Sequence, residues 1–220
     1  LRRPRIALTE TWFHDMDGGW TRFIFDQYHI PYSVLRPADL QTANLKAYDI
    51  IIFSDAQSSV LMEGQRERRP STYPPEYNKG MEKKGFEQLL HYINDGGRVM
   101  AWGPATELFS GTFSIGEGED KEVFSLPFSN TGSALTGNGL YIPGSLLRVN
   151  LRQNHPLTLG MPGQIGVFHR GNPVFRTSIP YFDMDRRAIA TFAEDHILMS
   201  GYAEKEELLK QQTALVWIQK

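Results

Sequence analysis

Two acids and two glycines stand in "HDMDGGWTRFIFDQY" (His14–Tyr28), directly ahead of an aromatic-rich stretch. A phosphate loop, a catalytic acid pair and a plain helix entry would each look something like this. A phosphate loop needs spaced glycines so that backbone N–H groups reach the anion. Gly18 and Gly19 are adjacent, no G-x-G-x-x-G is present, and Asp15 and Asp17 would repel a phosphate. As a general acid/base pair, Asp15 and Asp17 lie two apart in a loop, which fixes no geometry. Carboxylates ahead of a helix ordinarily cap it and offset the positive end of its dipole. The favoured reading makes Asp17 the N-cap and Trp20 the residue that anchors the helix in the core. Arg22 and Asp26 then sit at i, i+4 on the exposed side, as a weak pair.

Other chemistry is sparse. The chain has no cysteine, which removes disulfides, thiolate nucleophiles and cysteine metal sites together. A zinc peptidase site needs His-x-x-Glu and a distant His. None of the six histidines (His14, His29, His91, His155, His169, His196) has Glu at the third following position. A nucleophile elbow wants Ser or Cys between small residues in a sharp turn. The stretch "GPATELF" (Gly103–Phe109) offers only Thr106, about one turn into a helix, where it reads as a helix-start residue.

The elements that would position these groups follow from periodicity. "RIALT" (Arg5–Thr9) reads as a buried strand. Trp20, Phe23, Ile24 and Tyr28 then form one apolar helical face, ended by Pro31. "YSVL" (Tyr32–Leu35) and "YDIIIF" (Tyr48–Phe53) read as strands, the latter buried on both faces. Ser54–Gly80 is a long irregular excursion. "EKKGFEQLLHYINDGG" is a helix with Phe86, Leu89, Leu90 and Ile93 inward and Gly96 as its left-handed stop. "RVMAW" (Arg98–Trp102) is a fourth strand. Strands alternating with helices predict an α/β fold with a mostly parallel sheet covered on both faces. Ligands in such sheets sit beyond the strand carboxyl ends, which here supply Glu10, Trp12, Asp55 and Glu107.

After Phe109 the pattern changes. "SGTFSIGEGEDKEV" reads as a mobile acidic loop. "LLRVNL", "IGVFH", "PVFRT", "AIATFA" and "TALVWIQ" read as short strands, with a helical turn in "KEELLKQQ". The expectation is a single domain over 1–220, with a parallel part at about 1–109 and a β-rich extension at about 140–220. The chain reads as a fragment of something longer.

Composition agrees with a globular domain: 40% hydrophobic and 12% aromatic. Lys plus Arg (23) nearly balance Asp plus Glu (25), so no basic field exists for a nucleic-acid backbone. No run of about 18 apolar residues exists, so no membrane-spanning helix is expected.

Several of these segments carry a family likeness. "MDGGWTRFIFDQYHIPYSVLRPADLQTANLKAYDIIIF" resembles the C-terminal domain of a branch of bacterial zinc carboxypeptidases, which typically carries Met-Asp-Glu-Gly-Trp-Thr-Arg at this point. "PPEYNKGMEKKGFEQLLHYINDGG", "YIPGSLLRVNL", "NHPLTLGMP" and "SGYAEKEELLKQQTALVWI" match it in order, from Arg5 to Lys220. The resemblance implies a flavodoxin-like three-layer sandwich of the class I glutamine amidotransferase type. It also implies a preceding zinc peptidase domain as partner, with the zinc outside this chain, no cofactor within it, and a periplasmic or secreted setting. Two departures stand out. The family continues past the position of Lys220 into another strand and helix. True amidotransferases carry a nucleophilic Cys that this chain lacks.

The implied function is that of a non-catalytic accessory domain. Two alternatives come from other classes. One is a stand-alone hydrolase using the carboxylates or Thr106. The other is a carbohydrate-, peptide- or small-ligand-binding module using Trp12, Tyr73 and Tyr77, which requires those rings to be exposed and coplanar.

Overall fold

The computed structural model describes residues 2–13, 16–65, 73–115, 122–171, 173–177 and 185–219. The chain forms two compact units, one of residues 1–109 with 113–124, the other of 110–112 with 125–220.

The first unit is the α/β part. Strands β1 (Ile6–Thr9), β2 (Tyr32–Leu35), β3 (Ile50–Phe53) and β4 (Arg98–Ala101) form a parallel sheet in the order β2-β1-β3-β4. Ile6 pairs with Tyr32 on one side and Ile50 on the other, and Ile50 pairs with Arg98. Helix α1 (Met16–Gln27) links β1 to β2, and α3 (Glu82–Asn94) leads into β4. The winding therefore runs one way from β1 to β2 and the other way from β3 to β4. With right-handed crossovers, this puts α1 and α3 on opposite faces. Within the 54–80 excursion lie a short helix α2 (Ser58–Glu63) and a 3-10 turn at Pro75–Asn78. Residues 66–72 of that excursion, which hold its three arginines, lie outside the described residues.

Helix α3 meets its expectation: Leu89 and Leu90 are buried, joined by Gly85 and Tyr92, with Phe86 and Ile93 half-buried. It ends at Gly96, whose φ of +91° is a left-handed stop.

Helix α1 does not. Its apolar face points to solvent: Trp20, Phe23 and Tyr28 are 59%, 56% and 73% exposed. Trp20 is thus no core anchor. The inward arc is Asp17, Gly18, Thr21, Arg22 and Phe25. The reason is electrostatic. Arg22 reaches the buried Glu10, and turning the apolar stripe inward would pull it away, leaving a buried carboxylate with less of its compensation. Gly18 is the buried residue of this inward arc. Asp17 lies inside the first helical turn, so it is not the N-cap; its carboxylate accepts a hydrogen bond from Trp102 Nε1 at 3.0 Å. Asp15 and His14 lie outside the described residues. Arg22 and Asp26 are not a pair on open surface: Arg22 Nε donates to the Tyr32 hydroxyl, which donates to Asp26.

The second unit is β-rich. Its strands are β7 (Phe128–Asn130), β8 (Ser145–Leu151), β9 (Gln164–His169), β10 (Phe175–Thr177), β11 (Asp185–Phe192), β12 (Leu198–Ser200) and β13 (Thr213–Gln219). They form a seven-stranded sheet in the order β12-β8-β11-β13-β10-β7, with β9 also on β8. The five sequence-predicted strands are all present. Along β8, Ser145, Leu147, Val149 and Leu151 are buried, the period of two of a sheet with one covered face. Leu147, Val149, Phe192, Ile197 and Leu209 form the core of this unit. The acidic segment read as a loop contains a two-stranded sheet, β5 (Gly111–Ile115) with β6 (Glu122–Leu126); residues 116–121 lie outside the described residues.

Candidate functional site

The sheet reverses its winding between β1 and β3, and ligands in doubly wound sheets sit at that switch point, beyond the strand carboxyl ends. The chain leaves β1 there through Glu10, Thr11 and Trp12, and leaves β3 through Ser54 and Asp55.

Glu10 extends β1 by one residue, its N–H donating to the Leu35 carbonyl at 3.0 Å. Its side chain is 1% exposed. Two guanidinium groups meet it. Arg22 Nη1 lies 3.4 Å from both carboxylate oxygens, and Arg36 Nη1 lies 3.4 Å from Oε2. Hydrogen bonding to Tyr32 and attraction to Glu10 raise the Arg22 pKa above its ordinary value. Arg36 also donates to the carbonyls of Glu10 (3.2 Å) and Thr11 (2.7 Å). Its guanidinium carbon stands 4.1 Å from the centre of the Trp12 ring, a cation–π contact.

Trp12 continues into an aromatic stack. Its ring lies 5.8 Å from that of Tyr77, which lies 5.7 Å from Tyr73, both pairs stacked. Phe13 meets both tyrosines edge-on. The interplanar angles are 28° and 13°, so the three rings are near-parallel; Tyr73 is exposed, and Trp12 and Tyr77 are half-buried.

Asp55 packs beside Gly103, the first residue of a 3-10 turn at Gly103–Phe109. Gly103 has φ +57°, and a Cβ there would overlap the Asp55 carboxylate, so the position requires glycine twice over. Glu107 is exposed on that turn and, among the described residues, makes no hydrogen bond or ion pair. Thr106 is buried and donates its hydroxyl to the Gly103 carbonyl at 2.7 Å. That is a helix-start bond and not an exposed nucleophile.

Of the four crevice residues, the structure ties Glu10 to Trp12 through Arg36, ties Asp55 to Gly103, and leaves Glu107 by itself. Arg22 and Arg36 were not legible as site residues by motif. A signal for Arg36 did exist. Parallel pairing of Thr9 with Leu35 sets residue 10 beside residue 36, and an acid directly after a buried strand needs a cation. Among the described residues, no group of three His, Asp or Glu side chains could hold a metal ion. No described helix is long and apolar enough to cross a membrane.

No protein-family model matches the chain, and no curated protein matches it. Among solved structures, a putative GMP synthase component from Thermoplasma acidophilum superposes with a TM-score of 0.44 at 11% identity, covering 88% of this chain and 75% of that one. A glutamine amidotransferase from Thermotoga maritima superposes with a TM-score of 0.48 at 10% identity, covering 87% of this chain and 68% of the other.

Proposed function

We propose that the chain is a non-catalytic, amidotransferase-like accessory domain of a zinc-dependent carboxypeptidase, with peptide hydrolysis carried by a zinc site outside residues 1–220. The attribution to that parent comes from the sequence resemblance. The flavodoxin-like part of the reading is supported by the strand order β2-β1-β3-β4, which is how such sheets begin. The observation that carries the non-catalytic part is the turn after β4. A class I amidotransferase would hold its nucleophile in a sharp turn after a central strand. Here the hydroxyl available is that of Thr106, buried and bonded to its own turn. Nearby chemistry is similarly tied up. Glu10 is buried and held by two arginines, which makes it a structural anchor and not a general base. Among the described residues no group of three His, Asp or Glu side chains could hold a metal ion; the sequence resemblance is what puts the zinc in a separate peptidase domain.

The test is to isolate the native protein from its source cells with an antibody against this domain. Expected are a mass well above 25.0 kDa, bound zinc, and chelator-sensitive release of C-terminal residues that survives Thr106→Val. A zinc-free protein of about this chain's own mass would overturn the parent attribution. Hydrolysis abolished by Thr106→Val would favour the stand-alone hydrolase instead.

A further inference from the structure

The seven-stranded sheet of the second unit ends on β9, and the outer side of that strand is open. Successive residues of a strand send their backbone groups to opposite sides. Arg148 of β8 donates its N–H to the Ile197 carbonyl and accepts from Ala193, on the side of β11 and β12, whereas Leu151 donates to Gly163, on the side of β9. In the β8–β9 ladder Leu147 faces Val167 and Val149 faces Ile165, so these pairs carry the hydrogen bonds. Gln164, Gly166 and Phe168 therefore aim their N–H and C=O groups outward. Among the described residues, none of those outward groups has a partner.

Folded proteins blunt such edges with Lys, Pro, bulges or short strands. The opposite edge, β7, is three residues long and follows Pro127. Strand β9 has no such protection. Residues 164–168 carry no charge and no proline, and the ladder with β8 runs from Ser145–His169 to Asn150–Gln164 without a register shift. Its underside is apolar: Ile165 and Val167 pack against the core of the unit and are only half-buried.

We propose that β9 pairs with β9 of a second copy, antiparallel about a two-fold axis at Gly166, joining two β-rich sheets into one. Gly166 then faces the partner's Gly166, and Gln164 faces the partner's Phe168 on either side of the axis. Every outward group is used, in about six hydrogen bonds at two per facing pair. Moving the axis to Ile165 or Val167 leaves Phe168 or Gln164 opposite no strand residue. Beneath the sheet, Ile165 meets the partner's Val167 at the Cα spacing of about 4.5 Å of a non-hydrogen-bonded pair, which carries the apolar core across the seam. A residue on a two-fold axis meets its own copy, and glycine brings neither bulk nor like charge there. On the outer face Phe168, 70% exposed, gains the partner's Gln164 and Gly166 as neighbours. A seam of one strand falls below the about 800 Å² per partner of a stable interface, so the association is reversible and of micromolar strength. It rests on the second unit alone and not on the peptidase attribution.

Residues 1–220 contain no cysteine, which allows a direct test of register. Facing Cα atoms of a hydrogen-bonded antiparallel pair stand about 5.5 Å apart, within disulfide reach. Gly166→Cys in the purified protein should cross-link to its own copy under mild oxidation; the new side chain meets only the flexible ends of Leu146 and Met199. Phe168→Cys lies about four residues, roughly 13 Å, out of line with its copy, and should cross-link at least tenfold more slowly. Sedimentation should show a reversible monomer–dimer equilibrium in the micromolar range. Gln164→Pro removes an outward N–H that the monomer does not use and should weaken that equilibrium at least tenfold. Circular dichroism checks that each variant folds. A monomer throughout that range overturns the proposal, as does cross-linking that is equal at the two positions or faster at position 168. A dimer indifferent to Gln164→Pro overturns it as well.

Discussion

The Glu10 cluster makes a prediction of order as well as size. Glu10 is buried, whereas the side chains of Arg22 and Arg36 are 42% and 21% exposed. Removing the buried charge by Glu10→Gln leaves two guanidiniums that water can still reach. Charge-assisted hydrogen bonds contribute about 1.5–3 kcal/mol when well formed. These contacts are long at 3.4 Å, and the Arg22 contribution is further reduced by solvent screening. Glu10→Gln should therefore cost about 1–2 kcal/mol. Arg36→Met does the opposite: it takes the less exposed of the two guanidiniums from a buried carboxylate, and loses the Trp12 contact and two carbonyl bonds. Breaking a buried pair from that side costs about 3–5 kcal/mol, and the lower end of that range is expected. In the double variant the two losses should fall short of their sum by about 1 kcal/mol or more. Urea unfolding followed by tryptophan fluorescence reads this well, because Trp12, Trp20 and Trp102 lie in the first unit. A Glu10→Gln loss equal to or larger than that of Arg36→Met would refute the reasoning, as would strictly additive losses.

Two further predictions concern single positions. Gly103→Ala should destabilise the first unit by about 1–2 kcal/mol or more, from the left-handed backbone and the displaced Asp55; Gly103→Ala combined with Asp55→Ala should recover part of that loss, and no recovery would mean that Asp55 is not the obstacle. His169 is buried against Phe192, and neither ring nitrogen has a well-formed hydrogen bond. Burial lowers its pKa below 6.5, opposed by a smaller effect of the Pro173 carbonyl. The unfolded chain thus takes up the proton first as pH falls. Stability of the second unit should be full above about pH 6.5 and decline through the window below it, down to the lowered folded pKa. His169→Phe should remove that component of the pH dependence and stabilise at neutral pH; thermal melts with an unchanged slope below pH 6.5 would contradict it.

Much of the architecture was legible because it rests on local pattern. The continuous apolar run "IIIF" and the three-four spacing of Leu89, Leu90 and Ile93 are properties of neighbours in sequence. So is the left-handed stop at Gly96. They placed β3, α3 and its end. The strands of the second unit were likewise readable one by one, but their sheet order was not, because pairing partners are chosen by packing over long separations. Glu10 and Asp55 could be placed at the strand carboxyl ends from connectivity alone. Their partners could not: Arg22, Arg36 and Gly103 lie 12, 26 and 48 residues from the groups they meet.

Helix α1 shows most clearly what sequence and tertiary structure each decided. Sequence alone determined that a helix would form between β1 and β2 and that it would carry one apolar face. Which face turned inward was decided only in three dimensions. A buried carboxylate at the end of β1 demanded a guanidinium, and Arg22 could supply one only by facing the sheet. Compensating a buried charge outweighed burial of an apolar stripe, because uncompensated charge in a low-dielectric interior costs more than exposed hydrocarbon. The stripe was left outside.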